Sequence, residues 1–407
     1  MREIFRLENY LYFGCLRSKL QDMWNRASRT VLRKLWKQFP AVLILGPRQV
    51  GKTTLAKAFL PGAFYCDLED PRTRSLFTSE PRFQIERHTE RPMILDEAQM
   101  VPVLFETLRG VIDEDRKRNG RYCLLGSAQP TLVRQVSETL AGRVGILELD
   151  PLTCSETREG PPSIKPQKLW LRGGFPDALH GDFRQWWESY LRTYVERDLP
   201  HLGLQPQPIL LRRLLTMLAH HQGGLLNLSQ FGSALGVTHH TTQRYIHWME
   251  QTFLLRLLPP YFRNVGKRLT KSPKVYLRDP GLLHHLMNLN TLEELDNHPI
   301  RGGSWEGFVI EEIIRRERLV RPHTQFFFWR TAAGAEVDLV LDRGNERIGI
   351  EIKAGGTENI HDASRLNAAL QDIGARHGYI LDQARGVTAM LPQVERRGFF
   401  EDLEWLP

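Results

Sequence analysis

One stretch near the N-terminus constrains the fold more than any other part of the chain. Residues 41–54 read AVLILGPRQVGKTT, so an apolar run leads directly into the pattern Gly-x-x-x-x-Gly-Lys-Thr, and an amphipathic segment follows. This order is the context of a phosphate-binding loop, in which backbone amides and a helix N-terminus point at phosphate oxygens. Chance would produce the pattern on the order of once in a hundred such chains, which disfavours an ordinary glycine turn. The predicted nucleotide-binding residues are Gly46, Pro47, Arg48, Gln49, Val50, Gly51, Lys52, Thr53 and Thr54.

The side chains of this loop, together with a later acidic pair, predict nucleotide hydrolysis. We expect Lys52 to reach the terminal phosphates and the Thr53 hydroxyl to ligate Mg²⁺. Residues 93–97 read MILDE, an apolar run that we interpret as a buried parallel strand ending in Asp96. Asp96 is predicted to serve the metal, directly or through a water, and Glu97 to polarise the attacking water. A helix cap after a core strand is the alternative interpretation of this acidic pair.

Apolar runs alternate with helical segments from residue 41 to residue 149. This alternation predicts an α/β domain whose parallel sheet is covered by helices on both faces, with nucleotide at the carboxyl ends of the strands. Ser127 directly follows one apolar run, where its hydroxyl is expected to contact the γ-phosphate and its water. Two roles remain open for Arg143, which follows a helical segment. It is either an arginine finger that completes the site of a neighbouring subunit or a cation that satisfies the helix dipole.

The chain carries a set of short motifs in a fixed order. They are GPRQVGKTT at 46–54, LDEAQ at 95–99, GSA at 126–128, LAGR at 140–143, GGFP at 173–176, and the blocks at 194–199 and 334–353. Together they resemble the motifs of a large family of prokaryotic AAA-superfamily ATPases, whose members carry a C-terminal domain of unknown function. The resemblance implies ATP-driven work in a homo-oligomer, with ATP and Mg²⁺ as cofactors.

Cysteine usage and hydropathy indicate where such a chain works. The four cysteines, Cys15, Cys66, Cys123 and Cys154, are scattered without a CxxC pattern or histidine partners. Neither a zinc site nor a disulfide framework is suggested, which fits a reducing cytoplasm. No run approaches the roughly eighteen apolar residues that a membrane span needs. We therefore expect a cytoplasmic protein without a membrane partner.

The middle of the chain predicts a winged helix-turn-helix. Three helical segments, at 211–221, 229–235 and 239–251, precede two apolar strands at 253–258 and 274–278. Ser229 and Thr238 are the expected helix caps, and Gly236 makes the turn. The loop at 261–274 carries five cationic residues and no acidic residue, in a chain of net charge +8 and pI about 9.4.

This layout and charge favour DNA as the partner. On the third helix, His239, Gln243 and Arg244 are predicted to face a groove, while the basic loop contacts phosphates. The loop residues expected on phosphates are Lys267, Arg268 and Lys271. In the alternative interpretation the module is a rigid connector and its charges are a solvated face.

A second candidate active site lies on a hairpin near the C-terminus. Gly344 and Asn345 separate two strand-like segments, and a turn centred there pairs residue 343 with 346 and, in the same register, Asp338 with Glu351. Directly opposed like charges are destabilising unless something compensates them. Lys353 on the same face compensates partly, and a divalent cation would do so fully. The register therefore raises the question of a metal site.

The pattern of an Asp, a Glu twelve residues on and a Lys after one more residue resembles the PD-(D/E)xK restriction-endonuclease-like fold. The resemblance implies that Asp338 and Glu351 bind Mg²⁺, that Lys353 stabilises charge or orients water, and that Glu306 completes the metal site from a helix. A surface hairpin with an incidental ion pair is the alternative. Glu311 and Glu312, on the same helix as Glu306, are expected to be solvated.

These inferences divide the chain into four parts. They are an N-terminal extension at 1–22, a P-loop ATPase domain at 23–160, a helical and winged-helix domain at 161–290 and a nuclease-like domain at 291–407. The predicted function is an ATP-hydrolysing AAA-type ATPase that acts on DNA and carries a domain resembling Mg²⁺-dependent nucleases. Two other classes stay open, a non-cleaving DNA-binding ATPase switch and an ATPase that remodels or regulates a protein partner.

Overall fold

A computed structural model describes residues 24–127, 130–199, 207–262, 271–356 and 359–400. The expected N-terminal extension at 1–22, which includes Cys15, lies outside these residues. The chain divides into two compact units, at 1–166 and 167–407. The second unit contains both the expected winged-helix segment and the expected nuclease-like segment. Each unit is described by itself.

The first unit is built on a five-stranded, wholly parallel sheet. Its strands are β1 (Ala41–Gly46), β2 (Phe64–Asp67), β3 (Met93–Asp96), β4 (Tyr122–Ser127) and β5 (Val144–Glu148). The order across the sheet is β2-β3-β4-β1-β5, so β1 is hydrogen-bonded to β4 on one side and to β5 on the other. All six residues of β1 are buried, as a strand with both faces covered requires. The predicted parallel α/β sheet is confirmed.

Seven helices accompany this sheet among the residues described for the first unit. They are α1 (Ser28–Gln38), α2 (Lys52–Phe59), α3 (Pro71–Ser79), α4 (Pro81–Glu86), α5 (Val103–Glu114), α6 (Pro130–Thr139) and α7 (Cys154–Glu159), with a 3₁₀ turn at Ala98–Met100. On α5 the buried residues Leu104, Leu108 and Val111 recur at helical spacing and join the core that contains Leu95 and Leu124. Each fully buried leucine contributes roughly 1.5–3 kcal/mol.

The second unit begins with a helical region. Its helices are α8 (Pro166–Arg172), α9 (Pro176–His180), α10 (Phe183–Thr193), α11 (Pro208–His220), α12 (Leu228–Leu235), α13 (His239–Gln251), α14 (Pro280–Leu286) and α15 (Leu292–Asp296), with a π-helical segment at Tyr194–Asp198. Strands β6 (Leu255–Leu258) and β7 (Lys274–Leu277) form an antiparallel pair after α13. Three helices followed by two strands is the predicted order of elements.

The caps of α12 and α13 show how this order arises. The Asn227 side chain accepts a hydrogen bond from the Gln230 N–H at 3.1 Å, so Asn227 and not the predicted Ser229 caps α12. Gly236 ends α12 in the left-handed conformation, and Thr238 caps α13, as predicted. Asparagine caps a helix as well as serine does, so the helix begins two residues earlier than a Ser229 cap would place it.

The rest of the second unit is a six-stranded mixed sheet with two helices. Its elements are α16 (Arg301–Val320), β8 (Gln325–Arg330), β9 (Glu336–Asp342), β10 (Arg347–Ile352), α17 (Ile360–Ile373), β11 (His377–Asp382), β12 (Val387–Leu391) and β13 (Val394–Gly398). The strand order is β12-β13-β11-β10-β9-β8. Strands β9 and β10 pair antiparallel, with Asp342 opposite Arg347 and Leu339 opposite Ile350. This is the predicted hairpin register, because a turn that pairs 343 with 346 produces these pairs.

Charged side chains are buried in the interior of the second unit, and the sequence analysis did not predict their burial. Glu311 is 1% exposed, and its carboxylate pairs with Arg256, with Arg278 at 3.2 Å and with Arg315 at 3.7 Å. Glu312 is buried as well. The expectation that these two glutamates are solvated is wrong, because α16 is covered on almost every side.

A buried aspartate explains the GGFP segment at 173–176. The Gly174 N–H donates to Asp279 Oδ2 at 2.9 Å, while Asp279 Oδ1 accepts from the Gly281 N–H at the start of α14. Nearby, the Trp170 indole and the His284 ring both hydrogen-bond the Ser304 hydroxyl, at 3.0 and 2.7 Å. The resemblance to the ATPase family at this segment thus corresponds to a structural junction.

Two absences concern only the part of the chain that the structure describes. No helix there is both long and apolar enough to cross a membrane. Cys66, Cys123 and Cys154 are buried and form no disulfide with one another.

Candidate functional site

The P-loop between β1 and α2 has the backbone that phosphate binding requires. A Cβ atom on Gly46 would lie 2.3 Å from the Leu149 carbonyl oxygen, so only glycine fits where the strand enters the loop. Gln49 and Gly51 adopt positive φ angles of 58° and 98°, and α2 begins at the next residue. The loop therefore curls back onto the helix N-terminus, where backbone amides and the helix dipole favour an anion.

Lys52 is held over this loop. Its ammonium donates to the Gly46 and Pro47 carbonyl oxygens at 3.1 and 2.9 Å, and the residue is 6% exposed. Phosphate oxygens share a negative charge and accept hydrogen bonds more strongly than neutral carbonyl oxygens do. A phosphate bound in the loop would thus compete well for a lysine that is already in position.

Thr53 and Asp96 meet at the carboxyl end of β3. The Thr53 hydroxyl donates to Asp96 Oδ2 at 2.6 Å, and the Tyr65 hydroxyl donates to the same oxygen at 3.0 Å. Burial and the neighbouring Asp96 charge raise the pKa of Tyr65, so the phenol stays a donor. One hydroxyl and one carboxylate fit Mg²⁺ that arrives with a nucleotide, because this ion takes most of its octahedral ligands from phosphates and water.

Glu97 and Ser127, the two other residues predicted to act on the nucleotide, lie at the carboxyl ends of β3 and β4. Glu97 follows Asp96 with a left-handed φ of 51°, and its carboxylate accepts a hydrogen bond from Gln99. Strained backbone of this kind clusters at functional sites. Ser127 lies directly opposite Gly46 in the β1–β4 pairing, so it is adjacent to the start of the P-loop.

Arg143 is engaged within its own chain. Its guanidinium donates to both carboxylate oxygens of Asp113, at 2.7 and 2.8 Å, and to the Ala141 carbonyl at 2.8 Å. These hydrogen bonds lower the pKa of Asp113. A role as an arginine finger in a neighbouring subunit would require this bidentate pair to open.

One residue at the P-loop was missed by the sequence analysis. Arg26, which precedes α1, donates to the Val50 carbonyl at 3.0 Å, to the Asp150 carbonyl and to Glu156 Oε1 at 3.2 Å. It therefore joins the P-loop to the segment after β5. Nothing in the sequence marked this arginine, because its loop partner lies 24 residues further along the chain and no pattern links the two.

The second predicted metal site holds a lysine. Lys274, the first residue of β7, has a side chain that is 4% exposed, and its ammonium contacts three carboxylates. The contacts are Glu306 at 2.8 Å, Glu336 at 2.5 Å and Asp338 at 3.5 Å. The Tyr276 hydroxyl also donates to Glu306, at 2.5 Å. Lys274 belongs to the predicted basic loop, yet it points into the protein and not toward a partner.

The remaining predicted residues of that site are also paired. Asp338 Oδ2 accepts the Ile352 N–H at 2.8 Å, and the Lys353 ammonium contacts Glu351 Oε1 at 2.8 Å. Burial and the Asp338 charge raise the pKa of Glu351 to about 8. The same two causes raise the pKa of Glu306 to about 7.

A divalent cation does not fit this arrangement. The ammonium of Lys274 already stands among the carboxylates that would ligate the metal, and a second cation there would be repelled. No group of three or more histidine, cysteine or acidic side chains within the described ranges could hold a metal ion. The metal roles of Glu306, Asp338 and Glu351 stay a prediction, and the structure places a cation of the chain itself against the first two of these carboxylates.

The predicted nucleic-acid residues can be placed in part. His239, Gln243 and Arg244 are exposed on α13, the third helix of the series, and Lys271 is exposed before β7. Lys267 and Arg268 lie outside the described residues. Three of the placed side chains thus share one helix, on which His239 and Gln243, four residues apart, lie on the same face.

Comparison with known families matches three regions of the chain. An AAA domain matches residues 38–158, a domain of unknown function (DUF8612) matches 165–293, and another (DUF4143) matches 301–390. The parallel sheet, the P-loop and the first match together define an AAA-type P-loop ATPase. Uncharacterized protein Rv2008c of Mycobacterium tuberculosis and Uncharacterized protein Mb2031c of Mycobacterium bovis are each 37% identical to this chain over 348 residues, which are 84% of this chain and 76% of theirs. The chain belongs to the family of these two mycobacterial proteins.

Solved structures include similar chains as well. The Walker-type ATPase PABY2304 of Pyrococcus abyssi aligns with a TM-score of 0.47 and 15% identity, over 65% of this chain and 96% of that one.

Proposed function

We propose that this AAA-type ATPase hydrolyses ATP at the P-loop and couples hydrolysis to work on DNA. The observation that carries the first part is the 2.6 Å hydrogen bond between Thr53 and Asp96 beside the buried Lys52. A hydroxyl, a carboxylate and an ammonium then surround the place where the terminal phosphates of a nucleotide would lie.

Each residue of the site has a separate role in this proposal. Thr53 and Asp96 would hold Mg²⁺, which when bound neutralises charge that develops on the transferred phosphoryl group. Lys52 leaves its two carbonyl partners for the β- and γ-phosphates. Glu97 orients and polarises the attacking water, and Ser127 contacts that water or the γ-phosphate from β4. Arg143 acts in a neighbouring subunit of a homo-oligomer once its pair with Asp113 opens.

Replacing Lys52 with alanine tests the ATPase assignment. Steady-state phosphate release is expected to be abolished, because the variant lacks the cation that contacts the terminal phosphates. Lys117→Ala, which removes an exposed lysine of the same unit, is the matched control and should keep wild-type turnover. Normal turnover in Lys52→Ala would contradict the site.

The proposal of DNA as the substrate rests on the exposed face of α13 and on charge. His239, Gln243 and Arg244 are of residue types that read base edges, and exposed Lys271 belongs to a loop of high positive charge. A net charge of +8 supplies the long-range attraction to a polyanion. The protein-remodelling alternative uses neither feature.

The DNA proposal is tested by titrating duplex DNA at several salt concentrations. Arg244→Ala should weaken binding by about 1–3 kcal/mol if the side chain reads a base. Arg213→Ala, which removes an equally exposed cation from α11, should have little effect. If DNA neither binds in a salt-sensitive way nor changes ATP turnover, the partner is a protein.

A further inference from the structure

The carboxylate cluster of the second unit is organised around one lysine. The three donor hydrogens of the Lys274 ammonium have three carboxylate partners, from Glu306 on α16 and from Glu336 and Asp338 on β9. Its side chain is almost fully buried. A single ammonium thus joins β7, a long helix and the hairpin strand.

The place of Lys274 is the place that a metal would need. Glu306, Asp338 and Glu351 are the side chains that the sequence pattern assigns to Mg²⁺, and Lys274 directly contacts two of them. The second carboxylate oxygen of Asp338 accepts a hydrogen bond from the Ile352 N–H at 2.8 Å. An ion brought to this cluster would have to displace a buried cation and compete for engaged oxygens.

We infer that Lys274 is the resident cation of this cluster, so that the C-terminal domain binds no catalytic Mg²⁺ and cleaves no nucleic acid. An ammonium can balance charge but cannot act as a Lewis acid or lower the pKa of a bound water as a metal does. The cluster fixes β7 against α16 and β9. The inference does not depend on the proposed ATPase site, which lies in the other unit.

The charges around the cluster form an internal network that has one carboxylate more than it has cations. Glu336 also contacts Arg330 at 3.3 Å, and Glu351 contacts Lys353 at 2.8 Å. Lys274, Arg330 and Lys353 together therefore face the carboxylates of Glu306, Glu336, Asp338 and Glu351. The Tyr276 hydroxyl, which donates to Glu306, supplies a further hydrogen bond where the fourth positive charge is missing.

The test uses full-length protein in the absence of nucleotide. Mn²⁺ is the probe, and its binding is measured by electron paramagnetic resonance. Wild type should bind Mn²⁺ no tighter than about 1 mM, and 5 mM Mg²⁺ or Mn²⁺ should not change its melting temperature. Lys274→Gln should gain a Mn²⁺ site at least tenfold tighter, and Asp338→Asn added to it should remove the gain. Lys274→Arg keeps the charge and should behave as wild type.

Three results would overturn the inference. They are stoichiometric Mn²⁺ binding by the wild type that Asp338→Asn abolishes, Asp338-dependent nicking of supercoiled plasmid with Mg²⁺ or Mn²⁺, and a folded Lys274→Gln protein without a Mn²⁺ site. The first two need only the wild type and Asp338→Asn, so they decide the matter even if the Lys274 variants fail to fold. ATP turnover and its loss in Lys52→Ala, measured on the same preparations, report separately on the proposed function.

Discussion

Replacing Arg26 with methionine is expected to weaken ATP binding about tenfold while changing kcat much less. Methionine keeps most of the length and the apolar body of the side chain but removes the guanidinium that holds the Val50 carbonyl at 3.0 Å. A hydrogen bond from a charged donor is worth about 1.5–3 kcal/mol. If binding must restore the loop geometry that this tether maintains, a loss of about 1.5 kcal/mol corresponds to roughly a tenfold rise in Kd.

Arg26→Met removes several hydrogen bonds, yet it should lower the free energy of unfolding only a little. Glu156 keeps hydrogen bonds from the Ala27 and Thr153 amides, at 2.8 and 3.0 Å, so its carboxylate is not left alone. Titration with a fluorescent ATP analogue gives Kd, and steady-state kinetics separates KM from kcat. Arg26→Lys should restore part of the affinity because its ammonium can reach a single carbonyl.

The matched control is Arg29→Met, which removes an exposed arginine one turn further along the chain. It should leave Kd, KM and the melting temperature unchanged. If Arg26→Met lowers the melting temperature but leaves the affinity for ATP intact, the arginine is only a structural tie. Equal affinity and equal stability would refute the reasoning altogether.

Three further predictions concern single side chains. Glu311→Gln should lower the free energy of unfolding by about 3–5 kcal/mol in urea titrations, because its buried arginines lose their counter-charge; an undiminished value would contradict this. Gly46→Ala should abolish ATP-analogue binding, since its Cβ would lie 2.3 Å from a carbonyl oxygen, whereas Gly110→Ala, with nothing within 4 Å, should not. Burial lowers the pKa of His284 from 6.5 to about 4, so its stabilising effect is complete above pH 6.5 and is lost as the pH falls toward 4. Between pH 7 and 5 the free energy of unfolding should fall by about 2 kcal/mol more in the wild type than in His284→Asn. Equal falls in the two proteins would refute the assignment of this pH dependence to His284.

The sequence predicted those features that local chain geometry determines. The P-loop lies within fourteen consecutive residues, 41–54, and the strand, glycines and helix of the pattern impose one backbone path. The β9–β10 register follows from a turn at Gly344, because side chains alternate between the faces of a strand. The conformation of such elements is determined by residues that are close to one another in the sequence.

Contacts between distant elements could not be predicted in the same way. Lys274 reads as one cation in a basic loop, and only packing against α16 and β9 turns it inward to Glu306 and Asp338. From the sequence, Glu311 looks like an ordinary solvated helix residue. In the fold, Arg256 and Arg278 pair with its buried carboxylate. A buried charge is stable only with its partners, and the sequence of one element does not reveal the partners on another.

The place of β1 in its sheet has a consequence for synthesis on the ribosome. This strand is made first but lies between β4 and β5, which end about a hundred residues later, at Ser127 and Glu148. At about 5–20 residues per second, the nascent chain carries an apolar strand with unpaired edges for several seconds. Nucleotide affinity therefore cannot arise until nearly the whole first unit has emerged, and fragments that end between β4 and β5 should be clients for chaperones.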